Sequence, residues 1–284
     1  MGFPVSKSPT ISFIGAGNMA SAIIGGMLDS GFQAAKVWVS APDDNHLQTI
    51  KRKFGVSVTT DNRHCAQQAD IVVLAVKPQV MRDVCENIAP VVQNTRPLIV
   101  SIAAGLEAGT LDQWLGGGLP LVRVMPNTPS LVGKGAAGLF ANDQVDDQQR
   151  QQVESIFNNI GVALWVEQEA LLHAVTGLSG SGPAYFFLML EALEGAATEA
   201  GIEAATARKL AIQTMAGAAE MAARSEHDPA QLKRNVMSPG GTTEQAIKTF
   251  EDGGMRDLVA RAYKAAYSRS EVMARELAGD SKDS

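Results

Sequence analysis

Cysteine is almost absent from this sequence. Only Cys65 and Cys85 occur among 284 residues, with no C-x-x-C pair and no histidine at metal-ligand spacing, so neither a disulfide framework nor a zinc site is expected and a reducing, cytoplasmic setting fits. Histidine is scarce too: His46, His64, His173 and His227 stand singly, no metal ion is expected, and each is read as a surface or structural residue. Positive charge is in deficit. Lysine and arginine number 24 against 30 acidic residues, giving a net charge of -6 and a pI near 5.3, and no run of lysines or arginines supplies a basic face; this argues against nucleic acid and for a small-molecule partner. Long apolar runs are missing as well. The longest, Ala184–Leu190, is far short of the roughly 20 residues that span a bilayer, and the N-terminus lacks the apolar core of a signal peptide, so no membrane is expected.

Glycine, by contrast, is plentiful at 27 residues, and its placement is informative. After a loose leader over residues 1–9, Thr10–Ile14 reads as a buried strand running into Gly15-Ala16-Gly17-Asn18-Met19-Ala20, a G-x-G-x-x-A turn. There Gly15 allows the tight turn, Gly17 lets a pyrophosphate approach the backbone, and Ala20 keeps the next helix close to the sheet. A second strand, Lys36–Ser40, and a helical stretch through Ile50 complete the dinucleotide-binding unit. The strand end that would carry an acid for NAD holds Ser40, which favours NADP; yet no arginine stands in that loop, and Asp43 and Asp44 would repel a 2'-phosphate if they faced it. Asp70–Pro78 contains a continuous apolar run of the kind a parallel sheet buries on both faces. Further strands are expected at 98–101, 121–125, 138–140 and 163–166, alternating with helices near 79–90, 107–115 and 146–159.

From about Gln168 the strand signals stop. The fold class is therefore α/β, a doubly wound Rossmann-type dinucleotide-binding domain over 1–167 followed by an all-helical dimerisation and substrate domain over 168–284. The helix opened by Ser181-Gly182-Pro183 is apolar on every side through Tyr185, Phe186, Phe187 and Leu188, and a second subunit would cover it most easily. A short helix follows Asp228-Pro229, a long one runs from about Met255 to Leu277, and a frayed tail ends the chain. Between those helices, Val236–Ile247 combines the bare turn Ser238-Pro239-Gly240-Gly241 with Thr242 and Gln245 at capping-box spacing. A helix start with free N–H groups and several hydroxyls suits a small carboxylate.

In this order the motifs resemble the pyrroline-5-carboxylate reductase family nearly end to end. The resemblance rests on Ile14–Met19, Ala75-Val76-Lys77-Pro78, Val122–Pro129, Gly177–Tyr185 and Leu232–Ile247, the last block being the most specific. It implies hydride transfer from NAD(P)H to the C=N bond of 1-pyrroline-5-carboxylate, giving L-proline, with NADPH the expected donor on the Ser40 reading and NADH also expected to serve. It also implies a homodimer with intertwined helices and larger rings such as a decamer. Carried over by residue, the family pattern places cofactor contacts at Ile14, Gly15, Ala16, Gly17, Asn18, Met19, Ser40, Asn62, Ala75, Val76, Lys77, Pro78, Ala103, Ala104 and Gly105. It places substrate contacts at Glu226, Ser238, Gly240, Gly241, Thr242 and Thr243, with Thr243 on the ring nitrogen as the catalytic position. Two rivals stand beside this reading. A hydroxyacid dehydrogenase would need a lysine that Gly180–Glu191 lacks, and a non-catalytic NAD(P) sensor would have no use for a carboxylate nest.

Overall fold

The computed structural model describes residues 8–279, so most of the expected leader and the chain beyond Gly279 lie outside the described residues. Strands form where β-branched and aliphatic residues run together. β1 (Ile11–Ile14), β2 (Val37–Ser40), β3 (Ser57–Thr59), β4 (Ile71–Leu74), β5 (Leu98–Ser101), β6 (Leu121–Met125), β7 (Gly135–Ala141) and β8 (Gly161–Trp165) join one sheet in the order β3-β2-β1-β4-β5-β6-β7-β8. All four residues of β1, β4 and β5 are buried, which is why their sequences are apolar without alternation. β1 to β6 pair in parallel, β7 is antiparallel to β6, and β8 parallel to β7. The reversal at β7 follows from its short connection, residues 126–134, which cannot carry a parallel crossover. Strand β7 is also longer at both ends than the expected 138–140.

Helices α1 (Asn18–Asp29), α2 (Asp44–Phe54), α3 (Asn62–Gln67), α4 (Pro78–Thr95), α5 (Ala108–Trp114) and α6 (Asp147–Asn158) link the strands. One core packs Ile23, Ile24, Met27, Leu47 and Phe157 on one side of the sheet; a second packs Cys65, Met81, Cys85, Ile88 and Leu111. Each such isoleucine, leucine, methionine or phenylalanine side chain removed from water contributes about 1.5–3 kcal/mol. Helix α4 runs past the expected stop at Pro90 to Thr95, because that proline sits on the exposed face and the buried Val92 continues the apolar stripe. Helix α7 (Leu171–Val175) passes into one π-helical turn, Thr176–Gly180, closed by Ser181 N–H on the Thr176 carbonyl at 2.8 Å.

α8 (Gly182–Glu199), α9 (Ala204–Arg224), α10 (Pro229–Asn235), α11 (Thr242–Asp252) and α12 (Met255–Ala278) complete the chain. Packing divides it into two compact units: residues up to Ser181 together with those from Ala266, and residues Gly182–Ala265. The first unit thus takes in α7, the π turn and the last turns of α12. Within the second, α8 and α9 pair and are tied by a two-pronged contact of Arg208 on Glu194 at 2.9 and 2.7 Å. Gly182 and Ala207 are the only buried residues of Gly182–Ala265 in the single chain, while Phe187 and Leu188 are 64% and 66% exposed. An isolated domain would not leave such side chains in water.

Candidate active site

The strand order reverses between β1 and β4, and in a sheet of this kind ligands bind beyond the carboxyl ends of the strands at that point. In register, Ile14 stands beside Ser40 on one side and Leu74 on the other, so the turns after these strands emerge together. Gly15 donates its N–H to the Ser40 carbonyl at 2.9 Å, has φ +108°, and any Cβ there would lie 2.6 Å from the Ala75 carbonyl oxygen. Only glycine fits. Gly17 caps α1 with no side-chain hydrogen bond, a Cβ on it would meet nothing within 4 Å, and α1 has no acidic residue in its first turn. That open, uncapped helix start accommodates a pyrophosphate, and the residues therefore fit the dinucleotide. Ala20 is buried against the sheet as expected, while Asn18 is exposed and Met19 half-buried at the rim.

Two expected cofactor residues meet: Ser40 Oγ, fully buried, donates to Asn62 Oδ1 at 2.8 Å. The Asp43 carboxylate accepts the N–H groups of Asn45 and His46 and caps α2, which commits it away from a ribose. His46, read from sequence as a scattered histidine, instead reaches the glycine loop, its Nε2 lying 2.7 Å from the Ala16 carbonyl oxygen. Its single occurrence in a polar helix start carries no signal of that contact.

Beyond β4, Ala75 donates its N–H to Ile14, Val76 continues the turn, Lys77 caps α4 with backbone alone, and Pro78 occupies the first helical position, where no N–H is needed. Ala103, Ala104 and Gly105 form the turn after β5, with Gly105 at φ +77° packed against Met273, Ala274 and Leu277 of α12. A buried polar group sits near β6. Arg123 Nη1 donates to Glu169 Oε1 at 2.7 Å, the same oxygen accepts the Ala108 N–H at the start of α5, and Arg123 Nε has no hydrogen-bond partner among the described residues. Asn127 bridges the Ser179 carbonyl and the Ala136 N–H at 2.9 Å each, fixing the π turn to the start of β7. Its place between two prolines was the only hint of this role. Burial pushes the thiols of Cys65 and Cys85 up to about 11 and about 12, so both stay protonated and take no part in nucleophilic chemistry.

Within the second unit, Ser238-Pro239-Gly240-Gly241 forms a turn with the Gly241 N–H on the Ser238 carbonyl at 2.9 Å and Gly240 at φ +71°. The helix that follows starts one residue earlier than the expected capping box. Its N-cap is Gly241, with no side-chain cap, and Glu244, not Gln245, stands at the third helical position and accepts the Gly240 N–H at 2.7 Å. Because Gly241 takes the extended cap conformation, Thr242 and Thr243 enter the helix, and neither hydroxyl is spent on a cap. Ser238 Oγ would come within 2.4 Å of a Cβ on Gly241, so serine and helix start are in close contact and a side chain there would displace one of them. Glu226 is exposed just ahead of α10. Among the described residues no group of three or more His, Cys, Asp or Glu side chains could hold a metal ion, and no helix is long and apolar enough to cross a membrane.

Comparison with known proteins bears on both units. Residues 169–273 match the family model for pyrroline-5-carboxylate reductase dimerisation, and residues 10–105 match that for NADP oxidoreductase, coenzyme F420-dependent. A pyrroline-5-carboxylate reductase of Pseudomonas aeruginosa is 47% identical over 271 residues, covering 95% of this chain and 99% of the relative. One from Vibrio alginolyticus is 42% identical, covering 93% and 97%. The solved enzyme of Coxiella burnetii is similar at TM-score 0.91 and 44% identity over 94% of this chain and 99% of its own. That of Plasmodium falciparum, solved with NADP bound, gives 0.83 and 31% over 94% and 98%. Identity at this level from end to end is more than a shared fold: the chain belongs to the pyrroline-5-carboxylate reductase family.

Proposed function

We propose that the protein reduces the C=N bond of 1-pyrroline-5-carboxylate to L-proline, using NADPH with NADH as second choice, in the cytoplasm, as a homodimer that assembles into larger rings. The observation that carries the reaction is the start of α11, an uncapped helix N-terminus with a serine against it and two threonines in its first turn. The backbone N–H groups of Thr242 and Thr243, with Ser238 Oγ, hold the substrate carboxylate, helped by the positive end of the helix dipole. The turn of Gly240 and Gly241 keeps side chains out of that nest. Thr243 donates its hydroxyl to the ring nitrogen, orienting the imine and steadying the amine that forms, and Glu226 stands at the same pocket. NADPH supplies the hydride when bound. An imine with its carboxylate anchored needs positioning more than a strong acid, which agrees with a site that employs no histidine on the substrate.

The cofactor is held by Ile14 to Met19, by Ser40 with Asn62, by Ala75 to Pro78 and by Ala103 to Gly105. The NADP bound to the Plasmodium falciparum relative supports the choice of dinucleotide. The family's dimerisation segment begins at residue 169, which supports a boundary between a cofactor part, 1–167, and a dimerisation and substrate part, 168–284. The exposed apolar side chains of α8 support the homodimer. Adding 1-pyrroline-5-carboxylate to protein and NADPH should consume the cofactor and yield stoichiometric L-proline. No proline with either cofactor overturns the proposal.

A further inference from the structure

Among the described residues, the strands of the sheet hold a single charged side chain, that of Arg123. It stands on β6 in register with Ser101, the last residue of β5, and is buried on Glu169. A buried ion pair adds little net stability, because the water lost by both charges offsets most of their attraction, so an arginine in an otherwise apolar sheet calls for another role. Its partner supplies one. Glu169 Oε1 accepts both Arg123 Nη1 at 2.7 Å and the Ala108 N–H at 2.6 Å. Helix α5 has no side-chain cap from Glu107 at its own N-cap position, and the carboxylate that serves it comes from 61 residues further along the chain. α5 follows closely on the turn of Ala103, Ala104 and Gly105, whose other side is held as well: a Cβ on Gly105 would lie 3.1 Å from Leu277 Cδ1 and 3.7 Å from Met273 Cβ of α12. Both holds trace to one short segment. Glu169 caps α5, and His173 takes α12 through Ser270 at 2.9 Å.

In this fold the adenosine ribose lies at the end of β2 and the pyrophosphate at the start of α1, so the nicotinamide half extends the other way across the crevice, over the turns that follow β4 and β5. We propose that Glu169, held in place by Arg123, is a positioning residue that sets the turn of Ala103, Ala104 and Gly105 against the nicotinamide half of the cofactor. It touches neither cofactor nor substrate. This rests on the dinucleotide reading above and adds the pair that fixes one wall of the crevice. With the carboxylate gone, the Ala108 N–H loses its acceptor and the turn is held from the α12 side alone, so its position against the ring is no longer single. Hydride transfer is sensitive to such a shift, since reacting atoms must be held within a few tenths of an ångström of the productive geometry.

The test is calorimetric titration of the full-length protein with NADPH and with 2'-phospho-ADP-ribose, the same molecule without its nicotinamide. Replacing a buried ion pair by apolar side chains of similar volume commonly leaves a fold as stable, so the double variant Arg123→Met, Glu169→Leu should melt close to the parent. It should bind NADPH about tenfold more weakly and 2'-phospho-ADP-ribose within about twofold, while the Ala108 amide exchanges its hydrogen faster. Glu169→Asp keeps the charge beside Arg123 but is too short for the Ala108 N–H; it should show the same selective loss, and it decides the matter if the double variant does not fold. Glu169→Gln keeps an oxygen for Ala108 and should bind both ligands within about threefold of the parent. NADPH bound at parental strength by the folded double variant or by Glu169→Asp overturns the inference, since the pair would then be structural only. Equal weakening of both ligands overturns it too. A parent that binds neither ligand overturns the dinucleotide reading itself.

Discussion

His173 Nδ1 and Ser270 Oγ are hydrogen-bonded at 2.9 Å although 97 residues separate them, and both are buried. The bond fastens the last turns of α12 to α7 inside the first unit, one helical turn before Ala274 reaches Gly105. Tyr267 meets the same imidazole edge-on, with ring centroids 6.3 Å apart. A histidine that appears isolated in sequence is thus the anchor of the terminal helix.

That anchor makes stability fall in acid. Burial first, and the nearby Arg123 second, lower the His173 pKa below its ordinary 6.5. The unfolded chain therefore binds the proton more readily, so the neutral ring's contribution is complete above the ordinary value and is lost as pH falls below it towards the folded value. Melting temperature should drop from about pH 7 to about pH 5, and His173→Phe should flatten that drop. At neutral pH the same variant should cost about 1–3 kcal/mol by leaving the Ser270 hydroxyl unpaired. A parent profile already as flat as that of His173→Phe overturns the assignment.

A charge on the apolar belt of α8 should dissociate the oligomer. Phe187 and Leu188 are exposed in the single chain and, in the proposed dimer, covered by the partner. Leu188→Glu would bury an unpaired carboxylate at a cost of several kcal/mol, a large part of a domain's net stability. Sedimentation should show monomer or unfolded chain without activity. A folded, active dimer of Leu188→Glu would place the interface elsewhere.

Gly15→Ala should abolish dinucleotide binding. The new methyl would meet the Ala75 carbonyl oxygen at 2.6 Å from a backbone at φ +108°, so the two crevice turns must part. NADPH affinity should fall beyond measurement while the melt shifts by only a few degrees, about 1–3 kcal/mol for one strained residue. Unchanged affinity would show that the loop does not hold the cofactor.

Much of the fold was legible because its strands are buried on both faces and its glycines have single uses. Ile71–Leu74 can be little else than a central strand, and Gly15 little else than a turn at a strand end. What escaped the sequence depends on contacts distant along the chain. The antiparallel β7 follows from a connection too short to cross, Pro90 is tolerated because its face is solvent, and Arg123 becomes a buried ion only beside Glu169. The helix start at Gly241 was misplaced by one residue because threonine and glycine both cap well, and the choice falls to the extended backbone at Gly241. His46 and His173 carried no periodic signal, and their partners Ala16 and Ser270 are fixed only by tertiary packing.

The shift of the cap from Thr242 to Gly241 sharpens the expectation for the two threonines. With Gly241 as N-cap, Thr242 holds no capping role, so Thr242→Ala should leave both stability and turnover within about twofold, the usual cost of an exposed change. Thr243, half-buried in the first turn, is proposed to donate to the substrate nitrogen. Thr243→Ala keeps the backbone N–H for the carboxylate and removes one hydrogen bond of about 1–3 kcal/mol, hence roughly a ten- to hundredfold loss in kcat/KM. Thr243→Ser restores the hydroxyl and should recover most of that loss, which separates a donor from a merely packed methyl. NADPH affinity should be unchanged in all three variants, because their effect belongs to the substrate. Steady-state kinetics at subsaturating 1-pyrroline-5-carboxylate decide the matter: if Thr243→Ala turns over as fast as the parent, the hydroxyl has no part in the reaction and the nitrogen is served by Ser238 or by water.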